Sequence, residues 1–277
     1  MTPETFPYRL AAIDIDDTLV GRDKQISSEN KAAVHTLQSL GCRIILATGR
    51  RHANALSNAH LLGLDDFVVS TQGARTEHTR TGEVIHTATL EPADARSLII
   101  EGRERGFTTL LWLKDEIVAE GADRWIQHYY DETHDDPVTL ADPLDYLDQP
   151  LEKVVWLQET LEVHGAQVEM ATRAAGRFNA LMTTNHSLEF TAPRANKDDG
   201  VAAVARYYNI PRDAVLAFGD GHNDVSMLAW AGLGIAMPHG RNAAQVAADL
   251  VAPDGDHRSA LARGIGEVIK RSGLAVA

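Results

Sequence analysis

The two ends of the chain alternate short apolar runs with segments in which apolar residues recur every three or four positions. RLAAIDI, CRIILAT and DFVVST are apolar almost throughout, which is typical of strands buried on both faces of a parallel sheet. The segment from Ser27 to Gly41 has Val34, Leu37 and Leu40 on one helical face, Ser27 or Ser28 as the capping residue at its start and a glycine at its end. This alternation predicts a parallel α/β sheet with helical crossovers.

The last third of the sequence repeats the same alternation. DDGVAAVARYYN, NDVSMLAWAG and NAAQVAADL predict helices, AVLAFGD and GLGIAM predict buried strands, and a short LVA follows the last of the helices. Both ends of the chain therefore predict a single sheet, although a long central segment separates them.

The central segment, residues 84–190, has a different pattern. PADARSLIIEGRERG predicts a helix with Pro92 near its first turn, TTLLWLKDEIVAE and KVVWLQ predict strands, and FNALMTTNHSLEFTA alternates like one half-exposed strand. The acidic segment DETHDDPVTLADPLDYLDQP predicts a solvated connector, with a substrate-gating loop as the alternative. The sequence thus predicts an α/β core of residues 1–83 and 191–277, interrupted by an inserted α+β domain of residues 84–190.

Composition and charge narrow the class of protein. The chain has 277 residues, of which 44% are hydrophobic, and is long enough for a sizeable core. Its net charge of −13 argues against nucleic acid and anionic membranes as partners, because both require a basic surface. The single cysteine, Cys42, fits a reducing compartment, and no signal peptide or run of ~18–20 apolar residues is present. We therefore expect a soluble, cytoplasmic protein.

Polar side chains follow the predicted strands at the points where the strands end. Ligands bind beyond the carboxyl ends of the strands in such a sheet, so we expect these side chains to lie at one edge. Crowded carboxylates repel one another unless a cation or a shared proton relieves them. In chain order the candidates are Asp14, Asp16 and Thr18; Thr48, Gly49 and Arg50; Lys197; and Asp220, Asn223 and Asp224.

This set of residues suits phosphoryl transfer. Asp14 and Asp220, with a main-chain carbonyl, supply the hard oxygen ligands that Mg²⁺ prefers. Thr48, the Gly49 N–H group and Lys197 can hold phosphoryl oxygens, where charge accumulates in the transition state. One carboxylate can then attack phosphorus, and a second carboxylate two residues along can protonate the leaving alcohol and later deprotonate water.

Each element alone has a simpler interpretation. An Asp-x-Asp at a strand end is usually a solvated turn, and Thr48-Gly49 is usually a strand-to-helix turn. Lys197 alone is usually a surface charge, and GDGHND alone is a turn or part of an incomplete calcium loop. The combination, in this order and at strand ends, favours a catalytic site.

DIDDT, LATGR, NK and GDGHND resemble, in the same order, the four signature motifs of the haloacid dehalogenase superfamily of phosphohydrolases. The position of the insertion is similar to that in the Cof-like branch, which carries a large C2-type α/β cap. The resemblance covers residues 9–260 approximately and implies a Rossmann-like, three-layer, parallel-sheet core with an α+β cap that sets specificity. It further implies a Mg²⁺-dependent phosphatase that forms an aspartyl phosphate and acts on a small phosphorylated metabolite. Sugar phosphates are the first expectation, with pyridoxal phosphate and flavin mononucleotide as alternatives.

The resemblance also implies a role for each motif residue. Asp14 would be the nucleophile and Asp16 the general acid/base. Asp14, the main-chain carbonyl of Asp16 and Asp220 would bind Mg²⁺, and Asp224 would be either a further ligand or a support outside the coordination sphere. Contacts with the phosphate or substrate are implied for Thr48, Gly49, Lys197 and Asn223.

The chain departs from the Cof-like pattern at several positions. Asp17 and Asp198 stand where glycine is usual, TQGA replaces the common Asn-Gly-Ala after the third strand, and PHGRNAA is longer than the usual turn. The TQGA sequence lies where a hinge or a contact with the substrate is expected. None of these changes removes a catalytic group.

Other functions fit parts of the same set. A phosphosugar mutase would use the same nucleophile but return the phosphoryl group to another hydroxyl. A receiver-like signalling module also combines Asp, Thr, Lys and a metal, but it does not need the Asp16 carboxylate or an inserted domain. A dinucleotide-binding protein is disfavoured, because no G-x-G-x-x-G follows the first strand.

Overall fold

The chain folds into two compact units in the computed structural model, which describes residues 6–114, 116–133, 138–174 and 176–274. The first, here called the core unit, comprises the described residues of Met1–Arg50, Ala55–His86 and Asn196–Ala277. The second, the inserted unit, comprises those of Arg51–Asn54 and Thr87–Ala195.

Strands and helices alternate in the core unit and are mixed in the inserted unit. The strands are β1 (Leu10–Ile13), β2 (Arg43–Ala47), β3 (Phe67–Ser70), β4 (Arg75–His78), β5 (Val84–Thr87), β6 (Thr108–Leu113), β7 (Ile117–Ala119), β8 (Thr139–Leu140), β9 (Leu151–Leu157), β10 (Asn179–Thr184), β11 (Ser187–Thr191), β12 (Val215–Gly219), β13 (Leu233–Ala236) and β14 (Leu250–Val251). The α-helices are α1 (Ser28–Ser39), α2 (His52–Leu61), α3 (Pro92–Glu104), α4 (Arg124–Thr133), α5 (Thr160–Ala174), α6 (Lys197–Tyr207), α7 (Val225–Trp230), α8 (Asn242–Ala247) and α9 (Ala260–Arg271). Within the described part of the chain, none of these helices has both the length and the apolar character needed to cross a bilayer.

The core unit is built on an eight-stranded sheet with the order β14-β13-β12-β1-β2-β3-β4-β5. The strands from β14 to β3 are parallel, whereas β4 runs antiparallel to β3. The chain moves outward from β1 through β2 to β3 and later returns to the other side of β1 as β12. Strand order therefore reverses between β1 and β12, which is where open α/β sheets bind their ligands.

Helices cover both faces of this sheet because alternate residues of its buried strands point in opposite directions. Ala11 and Ile13 of β1 pack in an apolar cluster with α1 and α9, whereas Leu10 and Ala12 pack in another cluster with α6 and α7. Ser27 caps α1, as predicted, by accepting a hydrogen bond from the Asn30 N–H group at 3.1 Å. The predicted three-layer α/β fold is confirmed, with the antiparallel strand β4 and the edge strand β5 added to a sheet that was predicted as parallel.

The inserted unit contains a six-stranded sheet with the order β10-β11-β9-β6-β7-β8. Its pairs are antiparallel except for β7 with β8. Trp156 and Phe190 pack against α3 and α5 on one face, and Leu110 and Val155 pack against α4 on the other face. This unit is an α+β structure with its own apolar clusters.

Two interpretations of the central segment need correction. FNALMTTNHSLEFTA is two antiparallel strands, β10 and β11, and not one strand, because the period-2 alternation continues across the turn at residues 185–186. The described part of the acidic segment forms β8 and a short 3₁₀ helix, Pro143–Tyr146, and Leu147 packs into an apolar cluster, so this part is not simply a solvated connector. Residues 134–137 of that segment lie outside the described residues.

Cys42 should react slowly with thiol reagents in the native protein. Its side chain lies in the apolar cluster beneath α1, and burial raises the pKa of the thiol to about 12. Because the thiolate is the nucleophile, we expect reaction with a chromogenic disulfide reagent at pH 8 to be at least ~100-fold slower in native than in denatured protein. Equal rates in the two states would contradict the buried placement.

Candidate active site

Four segments of the core unit meet where β1, β2 and β12 end. Asp14 directly follows β1, and its N–H group bonds to the Phe218 carbonyl at 3.0 Å, which continues the pairing of β1 with β12. Thr48 follows β2, Asp220 follows β12, and Lys197 is the first residue of α6. The parallel register thus brings residues from distant parts of the sequence to one edge.

Lys197 is the centre of a buried charge cluster. Its Nζ donates hydrogen bonds to Oδ1 of Asp14 and to Oδ1 of Asp224, each at 2.6 Å. All three residues are at least nine-tenths buried. Burial favours the neutral amine, but the charges of Asp14 and Asp224 outweigh it and hold the pKa of Lys197 above its ordinary value. The lysine is therefore a fixed cation beside the predicted nucleophile.

Three carboxylates crowd around this lysine in a way that suits a hard cation. Asp14, Asp220 and Asp224 each offer an oxygen, and these oxygens lie within 4.8 Å of one another. Burial, and then the charge of Asp224, raise the pKa of Asp14 well above its ordinary value and that of Asp220 to about 7. Carboxylate oxygens are the donors that Mg²⁺ prefers, and a cation would relieve their repulsion, so the residues present fit a Mg²⁺ site.

Asp224 uses both of its carboxylate oxygens within the protein. Oδ1 accepts the bond from Lys197, and Oδ2 accepts bonds from the N–H groups of Asp220 and Gly221 at 2.9 and 2.8 Å. A Cβ at residue 219 would lie 2.5 Å from the Asp224 Cγ, so this packing requires the glycine of the Gly219-Asp220 sequence. Asp224 therefore ties the loop after β12 to the buried lysine.

Asp16 lies in a different electrostatic environment. Arg50 donates from Nε to Oδ2 at 2.8 Å and from Nη2 to Oδ1 at 2.7 Å, and Lys24 Nζ donates to Oδ1 at 2.9 Å. Burial acts to raise the pKa of Asp16, but the hydrogen bonds and charge of Arg50 outweigh it and hold the pKa well below its usual range. Asp16 is thus an ionised carboxylate held by two cations.

Gln72 lies beside the candidate phosphate-binding residues, although the sequence did not identify it as one of them. Thr48 Oγ1 accepts a hydrogen bond from the Arg50 N–H group at 3.1 Å. Asn223 Nδ2 donates to Gln72 Oε1 at 2.9 Å, and a Cβ added to Gly49 would lie 2.4 Å from Gln72 Nε2. Gln72 is part of TQGA, and the departure of that loop from the Cof-like pattern was the only sequence signal pointing to it.

Asp17 follows Asp16 directly, and besides burial its charge is one of the causes that raise the pKa of Asp220. Its backbone is left-handed, with φ 55°, and its carbonyl accepts a hydrogen bond from His239 Nε2 at 2.6 Å. The imidazole of His257 stacks on that of His239, with ring centroids 3.5 Å apart. The left-handed backbone of Asp17 and the bond that its carbonyl accepts both help to shape the turn after β1.

The sheet reverses its strand order at the point where the buried lysine and the metal-compatible carboxylate cluster lie. This arrangement is typical of an α/β phosphohydrolase. The chain belongs to the haloacid dehalogenase-like hydrolase family, whose family model matches residues 11–265. The predicted family and enzyme class, a haloacid dehalogenase-type phosphatase, are confirmed.

Individual proteins show the same similarity. YitU, a 5-amino-6-(5-phospho-D-ribitylamino)uracil phosphatase of Bacillus subtilis, is 27% identical over 249 residues, which cover 87% of this chain and 90% of that protein. The chloroplastic endoribonuclease YBEY of Arabidopsis thaliana is 24% identical over 88% of this chain, but the match spans only 44% of that protein. A haloacid dehalogenase-like hydrolase from Bacteroides thetaiotaomicron has a TM-score of 0.80 at 25% identity, over 94% of this chain and 99% of that one.

Asp220→Asn should stabilise the metal-free protein at pH 8. The pKa of Asp220 in the folded protein is about 7, above its value in the unfolded chain, so the folded state retains a proton that the unfolded chain releases at lower pH. The contribution to stability is therefore full only below the unfolded pKa of 3.8, and it is lost progressively as the pH rises from there through about 7. With chelator present at pH 8, we expect the melting temperature of the variant to exceed that of the parent by roughly 2–6 °C.

The same comparison at pH 5 is the control. At pH 5 the folded state keeps Asp220 mostly protonated, but the unfolded chain, with a pKa near 3.8, is already largely ionised. Part of the stability difference therefore remains, and we expect a clearly smaller increase in the melting temperature than at pH 8. A difference that is equal at both pH values, or absent at pH 8, would contradict the raised pKa.

Proposed function

We propose that this enzyme is a Mg²⁺-dependent phosphatase that hydrolyses a small phosphorylated metabolite through an aspartyl phosphate at Asp14. The observation that carries the proposal is the Lys197 ammonium, held at 2.6 Å from Asp14 within a buried cluster of carboxylates. A fixed cation beside a nucleophilic carboxylate stabilises the negative charge that accumulates on the phosphoryl group during its transfer.

Asp14, Asp220 and the main-chain carbonyl of Asp16 would hold the Mg²⁺ ion. Asp224 would support the site from outside the coordination sphere, because its two oxygens already accept hydrogen bonds from Lys197 and from the loop after β12. When bound, the ion would act as a Lewis acid on a phosphoryl oxygen and neutralise part of the carboxylate charge.

Asp14 would attack phosphorus directly. The bond from Lys197 fixes Oδ1 of Asp14, so Oδ2 would form the new bond to phosphorus as the bond to the leaving oxygen breaks. Lys197, the Thr48 hydroxyl and the Gly49 N–H group would hold the other phosphoryl oxygens. Asn223 would contribute its carboxamide from the loop after β12.

Asp16 would transfer protons in both halves of the reaction. In the first half it would give a proton to the leaving alcohol, and in the second it would take one from the water that attacks the aspartyl phosphate. Its bonds with Arg50 and Lys24 hold it ionised, which is the state that the second half requires. In the first half, Asp16 must therefore take up a proton, and Arg50 must release one oxygen of the Asp16 carboxylate.

The inserted unit would determine which substrates are accepted. The proposed nucleophile, phosphate contacts and metal ligands all belong to the core unit and recognise the phosphoryl group, which every phosphomonoester shares. Discrimination between leaving groups needs other side chains, and we assign it to this unit as a cap domain. The name of YitU refers to a substrate with a phosphorylated ribityl chain, which supports sugar or polyol phosphates as the substrate class.

Asp14→Asn should abolish hydrolysis of p-nitrophenyl phosphate, because an amide is a poor nucleophile for phosphorus. We expect a loss of at least ~10³-fold in kcat, measured as phosphate release with Mg²⁺ present, and a similar loss for the parent with excess chelator. Asp17→Gly is the matched control and should stay within ~3-fold of the parent, because glycine readily adopts the left-handed backbone of Asp17. Activity that survives both the Asp14 substitution and the chelator would overturn the mechanism.

A panel of phosphorylated sugars, polyols and nucleotides would test the substrate class. We expect the highest kcat/KM on a sugar or polyol phosphate, with one free phosphate released for each substrate consumed. A product in which the phosphoryl group has moved to another hydroxyl, with little free phosphate, would instead identify a mutase.

A further inference from the structure

A short loop after β3 is bonded to the segment that carries Thr48 and Gly49. This loop, Thr71–Gly73, forms a single 3₁₀ turn. The Thr71 N–H group bonds to the Arg50 carbonyl at 2.9 Å, and the Gln72 N–H group bonds to the Thr48 carbonyl at 3.1 Å. The backbone of the loop is therefore held directly beside the proposed phosphate contacts.

The loop has an unfavourable backbone conformation at two successive residues that are not glycine. Thr71 has φ 49° and Gln72 has φ 58°, and both residues are more than nine-tenths buried. L-residues rarely adopt this left-handed region, and β-branched residues such as threonine adopt it least. Such strain persists only where the surroundings fix it, and it is concentrated at functional sites.

The side chains of the loop reach two further segments of the site. Gln72 Oε1 accepts the bond from Asn223 Nδ2 at 2.9 Å, and the Gln72 amide covers Gly49 so closely that a Cβ there would lie 2.4 Å from Nε2. Gly73, with φ 96°, lies against the residue before Lys197, and a Cβ on it would be 2.1 Å from the Asn196 carbonyl oxygen. One loop thus contacts the segments that supply Gly49, Lys197 and Asn223.

We propose that Gln72 is a positioning residue of the phosphate site, which acts by orienting the Asn223 carboxamide through the hydrogen bond that Gln72 Oε1 accepts. The Nδ2 group of Asn223 carries two hydrogens; Gln72 accepts one, and the other can be donated to a phosphoryl oxygen. The strained backbone is what places the Gln72 side chain between Asn223 and Gly49. This inference rests on the proposed function, since it assumes that phosphate binds at this site.

Gln72→Asn separates positioning from simple structural support. Asparagine tolerates the left-handed backbone better than glutamine, so the variant should fold at least as stably as the parent. Its side chain is one methylene shorter and should lose the bond to Asn223. A residue with only a structural role would therefore show unchanged phosphate binding in this variant.

The test is the binding of inorganic phosphate to the full-length enzyme with Mg²⁺, measured by titration calorimetry. We expect Gln72→Asn to weaken binding roughly 5–20-fold, as for the loss of a well-placed hydrogen bond, with an unchanged or higher melting temperature. Asn223→Ala should weaken binding by a similar factor, and the double variant should be within about 2-fold of Asn223→Ala alone, because the two residues act through one bond. KM for p-nitrophenyl phosphate should rise in parallel.

Gln38→Asn, the same chemical change on the exposed surface of α1, is the control and should bind phosphate like the parent. If Gln72→Asn does not fold, Gln72→Met retains the side-chain length without the acceptor and gives the same comparison. Parent-like phosphate affinity in the Gln72 variant, or losses that multiply in the double variant, would overturn the inference. A parent that binds phosphate but hydrolyses no phosphomonoester would overturn only the proposed function, whereas a parent that binds no phosphate would overturn both.

Discussion

The ammonium group of Lys197 is the interaction on which the rest of the site depends. It joins Asp14 at the end of β1 to Asp224 after β12, and these residues are 183 and 27 positions away from it in sequence. Loss of one member of a buried charge cluster leaves an uncompensated charge, which typically costs about 3–5 kcal/mol. The start of α6, where the chain re-enters the core unit, is therefore fixed by the same bonds that orient Asp14, the proposed nucleophile.

Two carboxylates separated by a single residue have opposite electrostatic environments. Asp14 points into the buried cluster, where burial and neighbouring carboxylates raise its pKa, whereas Asp16 meets Arg50 and Lys24, which lower its pKa. Divergent environments of this kind allow chemically identical groups to take different roles in one reaction. The local backbone decides which environment each side chain enters, and the left-handed residue Asp17 closes the turn just after them.

Much of the core unit could be predicted from sequence because its buried strands are apolar on both faces and its polar residues stand at strand ends. That pattern located Asp14, Lys197, Asp220 and Asp224 before any geometry was known. The hairpin of β10 and β11 was missed because period-2 alternation is continuous across its turn. The unusual TQGA sequence marked the loop of Gln72, but the bonds from Asn223 to Gln72 and from Arg50 to Asp16 could not be predicted, because such contacts depend on tertiary geometry.

The central position of β1 also affects how the protein can be made on the ribosome. β2, which pairs with one edge of β1, is translated soon after it, but the other edge pairs with β12, which is translated only after the whole inserted unit. Until then, a fully apolar strand has one open edge, the kind of surface on which chains join one another. Early folding of the inserted unit would shorten the effective loop between β1 and β12 and so lower the entropy cost of closing the sheet.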